Sequence, residues 1–304
     1  MRATTQLRQL LKSKETLVVP GCYDAMSAKV MELVGFPAVY MTGYGTSLAL
    51  LGMPDAGLAT MTEMHLNARY MANAVKVPLI ADADNGYGNA INVIRCVREY
   101  IQTGAAAIHI EDQAIPKRCG HVAGRRVIPM AEAVGKYRAA ADVRDELDPD
   151  FVLIARTDAR GAHGGNLDIA IERANAYLEA GADIAFVEGP TTRDEVERIC
   201  KEVNGPILYN QTGVSPRFTS DEMTALGIAL TTLLSAPMGR LWGEAVMVEW
   251  SGLAAWPDFS AVMQVDIWGA LKVAYLPFIF VMLFTNFFDA LSCFMALSES
   301  ADLK

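Results

Sequence analysis

Positive charge in quantity is missing from this chain: no Lys/Arg cluster is longer than a pair, and the formal net charge is −9. That excludes the electrostatic footprint of a nucleic-acid binder. Metal-finger and disulfide patterns are missing too. The five cysteines (Cys22, Cys96, Cys119, Cys200 and Cys293) are odd in number, far apart and form no CxxC pair. They therefore make neither a zinc module nor a secreted disulfide framework. The opening MRATTQLRQLLKSKE has no apolar run followed by a cleavage site, and reads as a short helix instead of a signal peptide. A cytoplasmic setting is expected. What is present is an ordinary globular composition, 52% apolar and 20% charged over 304 residues, the length of a single α/β barrel.

The apolar pattern alternates in period. Strand-like runs fall at 16–20, 38–42, 79–84, 106–111, 151–156, 183–188, 206–210 and 228–234. Helical patterns run from Asp24 to about Val34, then over about 62–75, 90–103, 130–146, 168–180, 192–203, 219–226 and from about 237. Between the second and third strands the sequence reads as a glycine-punctuated loop, Gly43-Tyr44-Gly45. Eight β-α repeats predict a closed (β/α)₈ TIM-type barrel, an α/β fold, rather than an open doubly wound sheet. The polar residues of interest follow most strands in turn instead of clustering at one crossover. The barrel is expected over 1–255, with an apolar helical tail over 256–304. Within the tail, 273–297 carries only Asp289 as a charged residue. That is long enough to raise a membrane span, but Pro277, Asn286 and Asp289 interrupt it. The expectation is a helix packed on a neighbouring subunit.

Active sites of such barrels are built at the C-terminal ends of the strands. Those ends carry Tyr40, Thr42 and Gly43; Asp82 and Asp84; His109, Glu111 and Asp112; Arg156 and Asp158; Glu188; and Asn210. Any one of them has a solvation or capping explanation; the set points to a polar pocket. Three carboxylates at one mouth (Asp82, Asp84, Glu111) repel unless a cation relieves them, and a hard divalent ion does so while keeping several waters. An EF-hand is excluded, because Val93 stands where its closing Glu belongs. A dinucleotide fingerprint is excluded, because Leu48 replaces the last glycine of GxGxxG. Arg156 ends an apolar strand and suits a carboxylate through its planar fork. In Lys117-Arg118-Cys119-Gly120-His121, two fixed charges and an imidazole surround a thiol. Such a neighbourhood favours the thiolate and a thiol acidic enough to exchange protons near neutral pH. Most cysteines are inert and buried, and the other four are placed in that class.

The KRCGH run, with DADNGYGN (82–89) and HIED (109–112), resembles the isocitrate lyase and phosphoenolpyruvate mutase superfamily over roughly residues 5 to 250. It is most similar to the short lyase branch that includes methylisocitrate lyase, dimethylmalate lyase, oxaloacetate hydrolase and the petal death protein. The resemblance implies a Mg²⁺- or Mn²⁺-dependent carbon–carbon lyase of small 2-hydroxy di- or tricarboxylates. Asp84 would be the direct metal contact, with Asp82 and Glu111 holding its waters. Cys119 would protonate an enolate, and Lys117, Arg118 and His121 would close over the substrate on Gly120 and Gly124. Thr42, Gly43, Tyr44, Arg156, Glu188 and Asn210 would bind carboxylates, with His109 in support. The base is left between Tyr40 and a metal-held water. The resemblance also implies a homo-oligomer, dimer or tetramer, formed by helix exchange. Two alternatives stand: oxaloacetate hydrolysis or decarboxylation at the same site, and a non-catalytic barrel with a membrane- or partner-binding tail. In TTLLSAP (231–237), Leu233 departs from the proline usual in relatives, which leaves the substrate's variable group open.

Overall fold

The structure, a computed structural model, describes residues 1–118, 120, 124–212 and 215–233. Eight strands make one parallel sheet: β1 (Leu17–Cys22), β2 (Val39–Met41), β3 (Leu79–Asp82), β4 (Ala107–Glu111), β5 (Val152–Thr157), β6 (Ile184–Val187), β7 (Leu208–Gln211) and β8 (Leu230–Leu233). Sequential strands are neighbours, and β1 pairs with β8 from Leu17↔Leu230 onward. A bridge Ala185↔Ile207, with the Ala185 N–H donating to the Pro206 carbonyl at 2.9 Å, joins β6 to β7 and closes the ring. The expected (β/α)₈ barrel is observed, and every predicted strand end lies within two residues of the observed one.

The helices are α1 (Ala3–Leu10), α2 (Ala25–Val34), α3 (Gly43–Leu51), α4 (Met61–Ala74), α5 (Ala90–Thr103), α6 (Met130–Leu147), α7 (Leu167–Glu179), α8 (Arg193–Glu202) and α9 (Ser220–Ala225). Their starts are chemically marked. Asp24, Thr60, Asn89 and Thr219 each cap a helix with a reciprocal bond from the third residue, satisfying N–H groups that have no partner within the helix. In α5, Val93, Cys96, Val97 and Tyr100 are fully buried, the i, i+3, i+4, i+7 stripe that faces a core.

One expectation is corrected. The glycine-rich stretch after β2 is the first turn of α3, because the Thr42 hydroxyl accepts the Gly45 N–H at 2.8 Å and caps it. Gly43 is required there, since a Cβ would fall 2.2 Å from an Asp82 carboxylate oxygen.

Inside the barrel, Val19, Tyr40, Ile80, Ile154, Phe186, Leu208 and Leu230 form one cluster, closed from the strand N-terminal end by Leu7 of α1. Burying Leu7 completely contributes roughly 1.5–3 kcal/mol. On the outer surface, Met26, Leu33 and Val34 of α2, Leu48 of α3 and Tyr70 of α4 are exposed. No helix among the described residues is long and apolar enough to cross a membrane. The expected tail (256–304), the helix from about 237 and residues 234–237 lie outside the described residues.

Candidate active site

The acidic end of the site is assembled from β3, β4 and two loops. Strand β3 stops at Asp82, whose carboxylate accepts the Gly43 N–H (3.0 Å) and the Asp84 N–H (2.7 Å). Asp84 then takes a left-handed backbone, φ 53°, an unusual conformation for a residue with a side chain. Its carboxylate accepts the Asn85 N–H at 2.8 Å. The buried Lys136 ammonium donates to the Asn85 carbonyl, fixing the turn from below.

Lys117 arrives from the loop after β4 and places Nζ 2.8 Å from Asp55 Oδ1, 3.0 Å from Asp84 Oδ2 and 3.9 Å from Glu111 Oε1. Asp55, on the loop after α3, was not anticipated. It carries no local motif, and a charge partner for the buried Lys117 is the signal that would have found it.

These groups are not electrostatically at rest. Burial pushes Glu111 well above the carboxylate range, against the pull of Lys117 and Arg156. Burial also raises Asp84, again against Lys117. Asp82 is held below its ordinary value in spite of burial, with the Lys117 ammonium and the Asp84 N–H pulling it down. Burial opposes the charge on Lys117, but Glu111, Asp84, Asp82 and Asp55 outweigh it and keep the ammonium protonated.

Glu111 Oε1 is buried with no hydrogen-bond partner. Such an orphan needs an explanation, and desolvated acids around an unpartnered oxygen call for further positive charge. Among the described residues no group of three His, Cys, Asp or Glu side chains closes tightly enough to hold an ion by itself. A hard divalent ion that takes one or two carboxylates and keeps its waters fits this donor set.

Beneath the acids lies a buried pair. The Tyr40 hydroxyl meets His109 Nδ1, and the two rings stack at 5.7 Å and 10°. Burial, then Asp82, pushes the phenol well above its usual value, so Tyr40 keeps its proton. Burial lowers His109, with Asp82 opposing, and leaves the imidazole neutral near pH 7. His109 Nε2 lies 3.3 Å from Asp82 Oδ1 without hydrogen-bond geometry.

The basic end comes from β5. Arg156 gives Asp158 two bonds, Nε at 2.9 Å and Nη2 at 3.0 Å. Its Nη1 lies 3.5 Å from Glu188, and its guanidinium stands 5.2 Å from the Phe186 ring centroid. Asn210 of β7 donates to Glu188 at 3.1 Å and accepts from Thr232 of β8 at 2.7 Å. A Cβ on Gly120 would fall 2.4 Å from Arg156 Nη2 and 2.7 Å from Glu188 Cγ, so the loop after β4 reaches this cluster only as glycine.

Tyr40, Asp82, Asp84, His109, Glu111, Lys117, Gly120, Arg156, Glu188 and Asn210 are thus brought to one barrel mouth. Thr42 and Gly43 sit at its rim, the hydroxyl of Thr42 engaged as a cap. Tyr44 is half exposed on α3. Arg118 is exposed, its backbone held by Gln113 through bonds of 2.8 and 3.0 Å. Cys119 and His121 lie outside the described residues.

The family profile described as phosphoenolpyruvate phosphomutase matches residues 7–247. A 2,3-dimethylmalate lyase of Eubacterium barkeri is 49% identical over 255 residues, 83% of this chain and 86% of the relative. Among solved structures, an oxaloacetate acetylhydrolase bound to the inhibitor 3,3-difluorooxalacetate superposes with a TM-score of 0.74 at 38% identity, covering 79% of this chain and 82% of that one. A phosphonopyruvate hydrolase in complex with oxalate and Mg²⁺ gives 0.69 at 33%, covering 77% and 81%.

Proposed function

The chain belongs to the phosphoenolpyruvate mutase/isocitrate lyase superfamily and is a carbon–carbon lyase of that type; from this premise we propose that it cleaves a small 2-hydroxy di- or tricarboxylate of the 2,3-dimethylmalate or 2-methylisocitrate kind. The observation that carries the reading is the polarity of the mouth. Desolvated acids with an orphaned oxygen stand on one side. A buried arginine on an aromatic face stands on the other. A substrate with a carboxylate at one end and an α-hydroxy acid at the other spans such a site.

Arg156 would bind a carboxylate by the edge that Asp158 leaves open, with Glu188 and Asn210 shaping the space around it. Lys117, kept protonated by its acids, supplies fixed positive charge near the hydroxyl oxygen, where charge accumulates during cleavage. A Mg²⁺ or Mn²⁺ ion held by Asp84, with Asp82 and Glu111 acting through waters, would when bound stabilise negative charge on the substrate oxygens. A base on the acidic side of the mouth takes the hydroxyl proton, the C–O bond becomes a carbonyl, and the electrons of the Cα–Cβ bond pass to the departing fragment as an enolate. Cys119, flanked by Lys117, Arg118 and Gly120, would deliver the proton that completes the second carboxylate. Tyr40, hydrogen-bonded to His109 and holding its proton, orients that imidazole instead of acting as the base.

The test is release of α-keto acid with Mg²⁺ from 2,3-dimethylmalate, 2-methylisocitrate, citramalate, isocitrate and oxaloacetate, in parallel with chelator and with Cys119→Ala. Metal-dependent release from one hydroxy acid, lost in C119A, is the expected result. The likeness to oxaloacetate acetylhydrolase supports a second reading, hydrolysis of oxaloacetate. Consumption of oxaloacetate alone would select it, and silence from folded protein across the panel would end both.

The exposed apolar residues of α2, α3 and α4 support a further element of the proposal, a homo-oligomer in which copies cover this face, with residues 256–304 contributing to the contact. A single-copy mass by sedimentation would refute it.

A further inference from the structure

Asp158 is completely buried, and its carboxylate is shared between two arginines from different elements. Arg156 gives it Nε and Nη2; Arg125, on the segment that returns from the loop after β4, gives it Nη1 at 3.0 Å. A guanidinium has a side edge, Nε with Nη2, and an end edge, Nη1 with Nη2. The side edge of Arg156 is filled by Asp158, so only the end edge faces the mouth. The two other acids beside Arg156 are more distant, Glu111 at 3.4 Å and Glu188 at 3.5 Å. Neither has the pair of short, aligned bonds that fixes a planar fork.

Asp158 is itself held from behind. Its N–H donates to Asp112 Oδ1 at 2.9 Å. Asp112 Oδ2 accepts from Thr157 at 2.7 Å, Tyr177 at 2.7 Å and Arg173 at 3.1 Å. On the other flank the Arg125 guanidinium occupies a slot in which a Cβ on Gly161 would fall 1.8 Å from Nη2. That slot is stitched to the backbone by the Arg125 carbonyl, which accepts from the His163 N–H at 2.9 Å. A chain of buried, hydrogen-bonded groups thus runs from α7 to the arginine edge that Asp158 leaves open. Rigid support of this kind is what a binding group needs to hold its geometry.

We propose that Asp158, steadied by Asp112 and Arg125, is the positioning residue that presents the end edge of Arg156 to a substrate carboxylate. The inference rests on the lyase reading for its ligand but not for its geometry. Asp158 acts on the reaction only through Arg156, and that sets its signature.

The experiment is a double-mutant cycle, Asp158→Asn and Arg156→Lys, read as kcat and KM on the best hydroxy acid of the panel. It is accompanied by crystal structures of D158N and of Arg125→Lys. D158N is expected to raise KM about 10–100-fold with a smaller change in kcat. In the Arg156→Lys background, where no planar fork remains to orient, the same substitution should change KM less than about threefold. In the D158N crystal the Arg156 guanidinium should leave the Phe186 face while the barrel superposes. R125K, which keeps the charge but not the fork, should give the same displacement in smaller measure. Equal losses in both backgrounds, or an Arg156 unmoved in either crystal, would overturn the proposal. If D158N fails to fold, R125K carries both readouts. If the wild-type protein turns over no hydroxy acid, the lyase reading fails, and the crystal structures still decide the anchor.

Discussion

The two ends of the barrel are both rich in charge, and they use it in opposite ways. At the strand N-terminal end, Arg8 of α1 gives Nη1 to Asp183 at 2.7 Å and donates to the carbonyls of Pro149, Asp150 and Phe151. Arg144 meets the same Asp183 at 2.9 Å, and Thr4 bonds Asp148 at 3.0 Å. Among the described residues no buried side-chain polar atom there lacks a hydrogen-bond partner, and Leu7 seals the interior above it. At the other end, the three buried side-chain atoms without a hydrogen-bond partner among the described residues, His109 Nε2, Glu111 Oε1 and Arg125 Nε, all lie at or beside the mouth. One end is complete as it stands, and the other is arranged for something it does not itself contain. Conserving fold energy and accepting a ligand are separate tasks, and on the proposed reading this chain assigns them to opposite faces.

The sharpest way to break that division is to exchange effects between the ends. Lys117→Ala should lower kcat/KM by about 10³-fold or more, the scale of losing a preorganised charge beside a developing oxyanion. Keto-acid release under saturating Mg²⁺ measures it, and a variant that stayed active would show that the acids need no ammonium. Arg8→Ala should do the reverse. Losing a charged bond and three carbonyl contacts costs about 2 kcal/mol, a fall of roughly 4–8 °C in Tm, with kcat/KM unchanged. A thermal scan beside a rate assay tests both halves, and a catalytic defect in R8A would mean the two faces are coupled.

How much of this was readable beforehand depended on range. The strands were, because buried runs alternate with helical stripes, most of which begin at a capping side chain. The helix α3 was not, because Gly43 and Gly45 resemble a loop until Thr42 is seen to cap them, and Gly43 is there to clear Asp82. The strand-end acids and Arg156 were readable as a set from their position alone. Asp55 was not, since only the folded loops bring it to Lys117. The division of Arg156 into an occupied and an open edge was half written in the sequence. Residues two apart on an extended chain face the same way, and Arg156 and Asp158 are such a pair. Which of three nearby acids would win the fork is a matter of tertiary distances, 2.9 against 3.4 and 3.5 Å.

The same contrast predicts a small effect of opposite sign to that of Arg8. An acid whose folded pKa is raised above its unfolded value, near 4.5 for Glu, weakens the fold at pH values above that raised pKa. The penalty is relieved as pH falls through it and vanishes below the unfolded value. Glu111, desolvated and without a hydrogen-bond partner on Oε1, is such a group. In chelator, Glu111→Gln should therefore be more stable than the wild-type protein at alkaline pH by a few degrees in Tm, about 1–2 kcal/mol. The gap should narrow toward pH 5. Mg²⁺ should also narrow it, by favouring the charged carboxylate that the variant lacks. Asp158 runs the other way. Burial opposes its charge, but Arg156 and Arg125 hold its carboxyl below the usual range, so its contribution is present above the unfolded value and is lost as pH falls through the folded one. A Glu111→Gln protein less stable than wild type at every pH would mean that Lys117 and Arg156 already compensate the buried charge, and that the acidic side of the mouth is as self-sufficient as the sealed end.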